Sequence, residues 1–389
     1  MLPGDMAAGA PLARRQAAVL AAAAALASVL LVITAGESWR IATLFVLGIL
    51  LGLTLYLTAF GFSSAYRNLL VHGETAPVRA QLLMLAMATL MFAPVLSTGS
   101  VFGREAVGAL APVGLQVAMG AFMFGVGMQL AGGCGSGTLY TAGGGSPRML
   151  VVLVAFCGGS FWASLHMGWW QHLPAWGELA LGDLIGWPAA VVLQLAIFAL
   201  IWKLLAKTRR SDSAAAPNPA VDRAQARLWL IGGALLAALN FLVLMVAGHP
   251  WSITWAFALW GAKAALVLGW DPAAAPFWDS GFPRQALQGS VVRDVTSVMD
   301  IGIMLGALAA AGLTGRFAPR LNLPLRPLAA AVIGGVAMGY GARIAYGCNI
   351  GAFFSGVAST SLHGWLWIAA ALGGTWVGVR FRPWFGLKN

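Results

Sequence analysis

Cys134 and Cys348 are the residues around which the chemistry of this sequence gathers. Each stands in a glycine-dense stretch, Gly132-Gly133-Cys134-Gly135-Ser136-Gly137 and Tyr346-Gly347-Cys348-Asn349-Ile350-Gly351. Laying residues 120–137 on residues 334–351, an offset of 214, matches seven positions of eighteen, with Cys on Cys. Five of the seven are glycines, which a chance overlay of apolar helices does not produce, so the stretch reads as an internal duplication. With one residue inserted, Gly158-Gly159-Ser160 also meets Gly373-Gly374-Thr375, and the repeat runs on through the next helix.

Glycines at this density break a helix and let backbone approach a ligand. The residues after each cysteine can start a half-helix whose free N–H groups point at an anion. Ser136, Thr138, Asn349 and Ser355 add hydroxyl or amide donors. A thiol is a weak but soft donor, matched to a sulfur-bearing solute better than to phosphate; a thiolate is the other possibility, since a helix N-terminus lowers a cysteine pKa. Buried cysteine otherwise serves as a small apolar filler, and that reading suits Cys157 in the run LVVLVAFC. Packing alone has no need of the same thiol in both copies.

Arg343, five residues before Cys348, lies in a predicted span, where a charge is costly and is either paired or functional. It either pairs with Asp300 or Asp294 or attracts anions, and Gln129 takes the equivalent place before Cys134. Arg67, in GFSSAYRNLL, is either an interface residue or part of an anion inlet. Asp300 is the best-placed carboxyl for proton coupling, with a paired structural charge as the stronger alternative. The five histidines have no metal-ligand spacing, and three cysteines without a CxxC exclude a four-thiolate metal site. Walker, GxSxG and HExxH patterns are absent, so nothing calls for a metal, a cofactor or the usual hydrolase chemistries.

The elements that must position these residues follow from composition. Of 389 residues, 60% are hydrophobic and 9% charged, which excludes a water-soluble globular protein. The net charge of +11 sits between apolar runs rather than on one basic face, arguing against nucleic-acid binding. Apolar segments lie at 16–35, 41–60, 80–96, 113–131, 150–165, 185–205, 228–247, 252–268, 296–315, 328–345 and 364–379. The basic linker within 203–227, the Arg316, Arg320 and Arg326 loop and the tail with Arg380 and Arg382 belong on the cytoplasmic side. Parity between those loops makes 252–268 re-entrant, and treating 41–60 likewise leaves about nine spans, with the N-terminus outside despite Arg14 and Arg15. The expected fold class is therefore an all-α polytopic membrane protein: nine transmembrane helices plus re-entrant half-helices, in two inverted repeats whose cysteine loops meet at the midplane. The predicted organisation is a first repeat at 1–165, an outer loop and extra span at 166–206, a linker at 207–227 and a second repeat at 228–389.

GGCGSGTLY and YGCNIGAFFSG together resemble the YeeE/YedE family of sulfur-transport membrane proteins, over nearly the whole chain, and FGFSSAYRNLL resembles that family's first re-entrant element, with Arg67 on its usual arginine. The resemblance implies thiosulfate uptake across the bacterial inner membrane, cysteine thiols handing the ion along without covalent change, and a cytosolic TusA-like sulfurtransferase as partner. Carried residue by residue, it marks Cys134 and Cys348, with Gly133, Gly135, Gly137, Gly347, Asn349 and Gly351 shaping the loops. One departure stands out: the family's cysteine in the first element falls at about Gly61, which leaves room for another sulfur or selenium oxyanion. A second class of function stays open, a membrane thiol enzyme or sulfur carrier that forms a persulfide or disulfide with its substrate. A structural membrane subunit with no path of its own is the third.

Overall fold

The computed structural model describes residues 3–207 and 219–389. Its regular structure is helical apart from two short ribbons, Ser100–Val101 with Arg104–Glu105 and Pro112–Gly114 with Ala175–Glu178. The first half runs through α1 (Pro3–Glu37), α2 (Trp39–Thr58), α3 (Phe62–His72), α4 (Ala76–Thr98), α5 (Leu115–Ala131), α6 (Gly135–Gly143) and α7 (Pro147–Ser164). Two short helices, α8 (Met167–Gln171) and α9 (Leu181–Ile185), precede α10 (Trp187–Lys207). The remainder comprises α11 (Pro219–Ala247), α12 (Thr254–Val267), α13 (Gly281–Gln288), α14 (Val295–Leu313) and α15 (Leu325–Ile344). A π-helix (Asn349–Ser355) then leads into α16 (Gly356–Ala358) and α17 (Leu362–Phe381).

Nine segments among the described residues are long and apolar enough to cross a membrane. With every backbone group in lipid needing an internal partner, helices are the open-chain solution, and the chain is an all-α polytopic membrane protein. At 14 residues α12 reaches only about 21 Å, short of a hydrocarbon core of about 30 Å, and is the short element expected at 252–268. The same expectation for 41–60 fails. There α2 is a 20-residue helix whose first turn is capped by Ser38, which accepts from the Ile41 N–H, and the short element is the α3 behind it. Hydropathy runs through the junction; the backbone makes the break, with Ala59 in the left-handed region at φ 49°.

A full crossing by α2 changes the parity, and the N-terminus changes sides with it. Gln16 Nε2 donates to the Phe317 carbonyl at 3.2 Å and the Arg15 guanidinium lies 6.0 Å from the Phe317 ring, so α1 starts on the face of the basic Arg316 loop. The expected outward N-terminus is thereby corrected, and Arg15 no longer opposes the charge bias. The far end of α1 reaches the other face, where Glu37 pairs with Arg293 at 2.7 Å. Most of the linker expected at 207–227 falls on residues 208–218, which lie outside the described residues.

The packing is duplicated. α17 lies along α5 as α7 lies along α15, α1 and α2 pack on α14 as α10 and α11 pack on α4, and α3 touches α17 as α12 touches α7. So α10, expected as a connecting span, has a counterpart in α1. The same backbone approaches occur twice: Gly125 faces the Ala371 carbonyl as Gly339 faces that of Phe156, and Gly374 faces the Phe122 carbonyl as Gly159 faces that of Val336. These are the positions related by the offset of 214, or 215 after the insertion. Without a hydrophobic drive between helices in lipid, such small-residue contacts supply the packing. The equivalent helices α5 and α15 cross antiparallel, Gly120 meeting Ile344 and Ala345 while Gly127 meets Gly334 and Met338. α2 and α11 do the same, since Arg40 donates to the Val246 and Ala247 carbonyls and Gln225 to that of Thr58. Copies that run antiparallel to one another are the mark of an inverted repeat.

Candidate functional site

Both cysteines stand where a helix has just broken. α5 ends at Gly132, left-handed at φ 82°, and two residues later Cys134 is the N-cap of α6; α15 ends at Ala345, and Cys348 is the N-cap of the π-helix. Both thiols are free and at most 1% exposed. The two loops lie back to back. A Cβ on Gly135 would stand 3.1 Å from Cys348 Sγ and 3.6 Å from the Ile253 side chain, so a glycine is what lets one cysteine loop close over the other thiol.

The other predicted residues arrange themselves around this junction. Gly137 leaves room beside Cys134 Sγ, which a Cβ there would approach to 3.6 Å, and Ser136 Oγ lies 3.4 Å from the same sulfur. Gly133 packs against the Gly137–Thr138 backbone. In the second copy the Ile350 N–H donates to Cys348 Sγ at 3.5 Å. A Cβ on Gly347 would fall 2.6 Å from the Ala352 nitrogen, and one on Gly351 3.3 Å from Ser252 Oγ. Ser355 is already engaged, donating to the Trp251 carbonyl and accepting from Asn240.

Three buried polar side chains at the junction have no hydrogen-bond partner among the described residues: the Tyr66 hydroxyl, the Thr138 hydroxyl and both amide atoms of Asn349. Tyr66 faces Asn349 and Cys134, without completing a hydrogen bond of normal geometry to the amide. Buried donors are normally satisfied, and leaving one unpaired costs about 1–3 kcal/mol, so three beside two thiols describe a place made for a guest with acceptor oxygens. Tyr66 escaped the sequence reading although it sits inside the quoted FGFSSAYRNLL segment. Its signal was a tyrosine one residue before an arginine on the short element.

Arg343 and Arg67 are not brought together. Arg343 belongs to the face of Glu37 and Arg293, where a cavity of about 350 Å³ is lined by His249, Ser252, Thr254, Trp255, Arg343 and Tyr346, among others. A second cavity of about 180 Å³ shares His249, Ser252 and Tyr346 and reaches Gly351, beside the Cys348 loop. No carboxylate lines either cavity. Arg343 makes neither of the ion pairs considered for it: its guanidinium lies 5.3 Å from the Phe277 ring and 5.9 Å from that of Trp255, and its Nε has no partner. Asp294 is occupied as the cap of α14, accepting from the Ser297 N–H and from Trp255 Nε1. Asp300 is buried with neither oxygen hydrogen-bonded. Burial, partly offset by the hydrogen bond to the Pro250 carbonyl, holds the His249 imidazole below its ordinary value. Arg343 is the arginine or lysine that lines the larger cavity among the described residues. Arg67, on α3, lies towards the basic face and makes no hydrogen bond or ion pair among the described residues.

The arrangement has a cavity lined by Arg343, a buried junction of two thiols and orphaned donors, and no grouping of His, Cys, Asp or Glu among the described residues that could hold a metal. Known proteins resemble the chain in sequence. A protein 26% identical to this chain, the thiosulfate transporter TsuA of Spirochaeta thermophila, aligns over 85% of the chain and 95% of its own length. The Escherichia coli TsuA is 24% identical over 69% of the chain and 76% of its length. The probable transporter YedE of Escherichia coli is 32% identical over 40% of the chain, and that match covers only 38% of YedE. Helical spans and these relatives place the chain in the bacterial inner membrane as a multi-pass protein. The family described as sulphur transport matches residues 57–377, from the end of α2 to the last turns of α17, and the chain belongs to it.

Proposed function

We propose that the protein carries a small sulfur-containing anion, thiosulfate, across the inner membrane, from the Arg343 cavity past Cys348 and then Cys134 to the basic face. The observation that carries the reading is the junction itself: two buried thiols on opposed broken helices, with Tyr66, Thr138 and Asn349 left unpaired beside them. Thiosulfate has a soft terminal sulfur for the thiols and oxygens for the harder donors, so one guest answers both sets. Gly133, Gly135, Ser136, Gly137, Gly347 and Gly351 keep the backbone close to the path. The two halves that supply the loops are residues 1–165 and 228–389, with α10 joining the second as the counterpart of α1. The positive-inside bias puts the basic face in the cytoplasm, so a TusA-like sulfurtransferase would collect the anion there.

Labelled thiosulfate uptake into proteoliposomes tests this, with sulfate as control solute. Specific entry of thiosulfate supports it, and equal entry of both or of neither refutes it. The orphaned donors give a sharper expectation. Tyr66→Phe and Thr138→Val each remove one hydroxyl at nearly constant shape, and a hydrogen bond to a charged guest contributes about 1.5–3 kcal/mol, so each lowers uptake by about 10- to 100-fold. Unchanged uptake by both variants would remove these hydroxyls from the path.

A further inference from the structure

Three arginines from three separate elements converge on the last turn of α5, just before the Cys134 loop. Arg148, at the start of α7, donates to the Leu130 carbonyl at 3.0 Å and to that of Pro327; Arg382, just past α17, donates to the adjacent Gln129 carbonyl and to that of Lys388. Arg67 is the third. On α3, Ser63 is tied to the same turn of α5, its hydroxyl donating to the Met128 carbonyl and its own carbonyl accepting from Gln129 Nε2. Arg67 is four residues on, and so lies on the same face of α3. The Arg382 guanidinium is within electrostatic reach of both Arg67 and Arg148.

No carboxylate among the described residues neutralises them. The ion pair found among the described residues is Arg293 with Glu37, at the opposite face, and Glu74, beyond the end of α3, is taken by Asn68 at 2.7 Å. Capping the negative end of α5 explains Arg148 and Arg382, whose donors meet its terminal carbonyls. It does not explain Arg67, which has no partner among the described residues and adds a third like charge to a half-buried cluster. We propose that Arg67, Arg148 and Arg382 form a second anion site at the basic face, taking a small divalent oxyanion as it leaves Cys134. Guanidinium groups bind such oxyanions through paired, charge-assisted hydrogen bonds. The site rests on the transport reading for its role but not for its existence. It gives the path a basic receiver on the far side of the thiols from Arg343.

Arg67→Gln is the variant of choice, since Arg67 holds no backbone and its loss leaves the α5 caps in place. In oriented proteoliposomes of neutral phosphatidylcholine, it is expected to raise the half-saturating thiosulfate concentration about tenfold for flux from the basic face. Arg67→Lys restores most of the affinity. Binding is read separately by the rise in thermal unfolding temperature with inorganic sulfate, an oxyanion without the soft sulfur. The unaltered protein and Cys134→Ala are both stabilised, while Arg67→Gln loses most of the rise, whether or not thiosulfate is carried. No shift in the half-saturating concentration, or an effect that needs anionic lipid, overturns the proposal; the latter would assign the arginines to a lipid headgroup. Failure of the unaltered protein to carry thiosulfate, with the sulfate effect intact, would instead strike the transport reading alone.

Discussion

Cys134→Ala and Cys348→Ala each lower labelled thiosulfate uptake by about 100-fold or more, the scale of a lost interaction near 3 kcal/mol. Each cysteine is the N-cap residue of a broken helix on its own side of one junction, and Gly135 brings the first loop to within contact of the second sulfur. An ion passing between them meets both in series, so one loss is not compensated by the other. Cys157→Ala is the internal control: that thiol lies on the body of α7, away from both loop caps, and its loss leaves uptake near that of the unaltered protein. Uptake rates of the three variants at matched protein content check this. Near-normal rates for Cys134→Ala and Cys348→Ala would reduce both thiols to packing.

Gly374→Ala should destabilise the folded protein by about 3 kcal/mol, the upper range for overpacking a tight interior. A Cβ there runs into the Phe122 carbonyl and crowds Gly125, where α17 and α5 touch backbone to backbone. Neither can give, since both belong to helices locked by their own hydrogen bonds. Gly159→Ala meets the Val336 carbonyl in the duplicated contact and should cost a similar amount. Gly158→Ala, beside it, meets nothing within 4 Å and should be neutral or slightly stabilising, as alanine replaces glycine in a helix. Thermal unfolding in detergent of the three variants reads the difference. Equal behaviour of Gly158→Ala and Gly159→Ala would mean that this helix contact does not set stability.

The duplication was legible because it is written in glycines and cysteines. Those positions carry backbone contacts and helix breaks, which tolerate few other residues, so the overlay of 120–137 on 334–351 and of Gly159 on Gly374 survives as paired contacts in space. The short element at 252–268 was legible from its length. Its counterpart was placed on 41–60 by hydropathy, which cannot mark a break made by Ala59 and Gly61 between two apolar helices, whereas the family resemblance of FGFSSAYRNLL pointed to the segment that forms α3. From that displacement came the wrong side for the N-terminus. Arg148 and Arg382 were beyond reach for another reason: their meeting with Gln129 and Leu130 joins residues 18 and 253 apart in sequence. The two thiols, Asn349 and the surrounding glycines were named from sequence, whereas Tyr66 was not, since its burial beside Asn349 depends on how α3 lies across the end of α5.

The most direct test of the central claim uses thiosulfate labelled separately in its terminal and its central sulfur, supplied outside proteoliposomes. A relay in which the thiols hand on an intact ion delivers both labels to the lumen in a one-to-one ratio, and leaves Cys134 and Cys348 at their unmodified masses. A covalent sulfur carrier would instead transfer the terminal sulfur to a cysteine thiolate as a persulfide and release sulfite on the outer side. Terminal label alone in the lumen or on the protein, with the central label left outside as sulfite, would contradict the account.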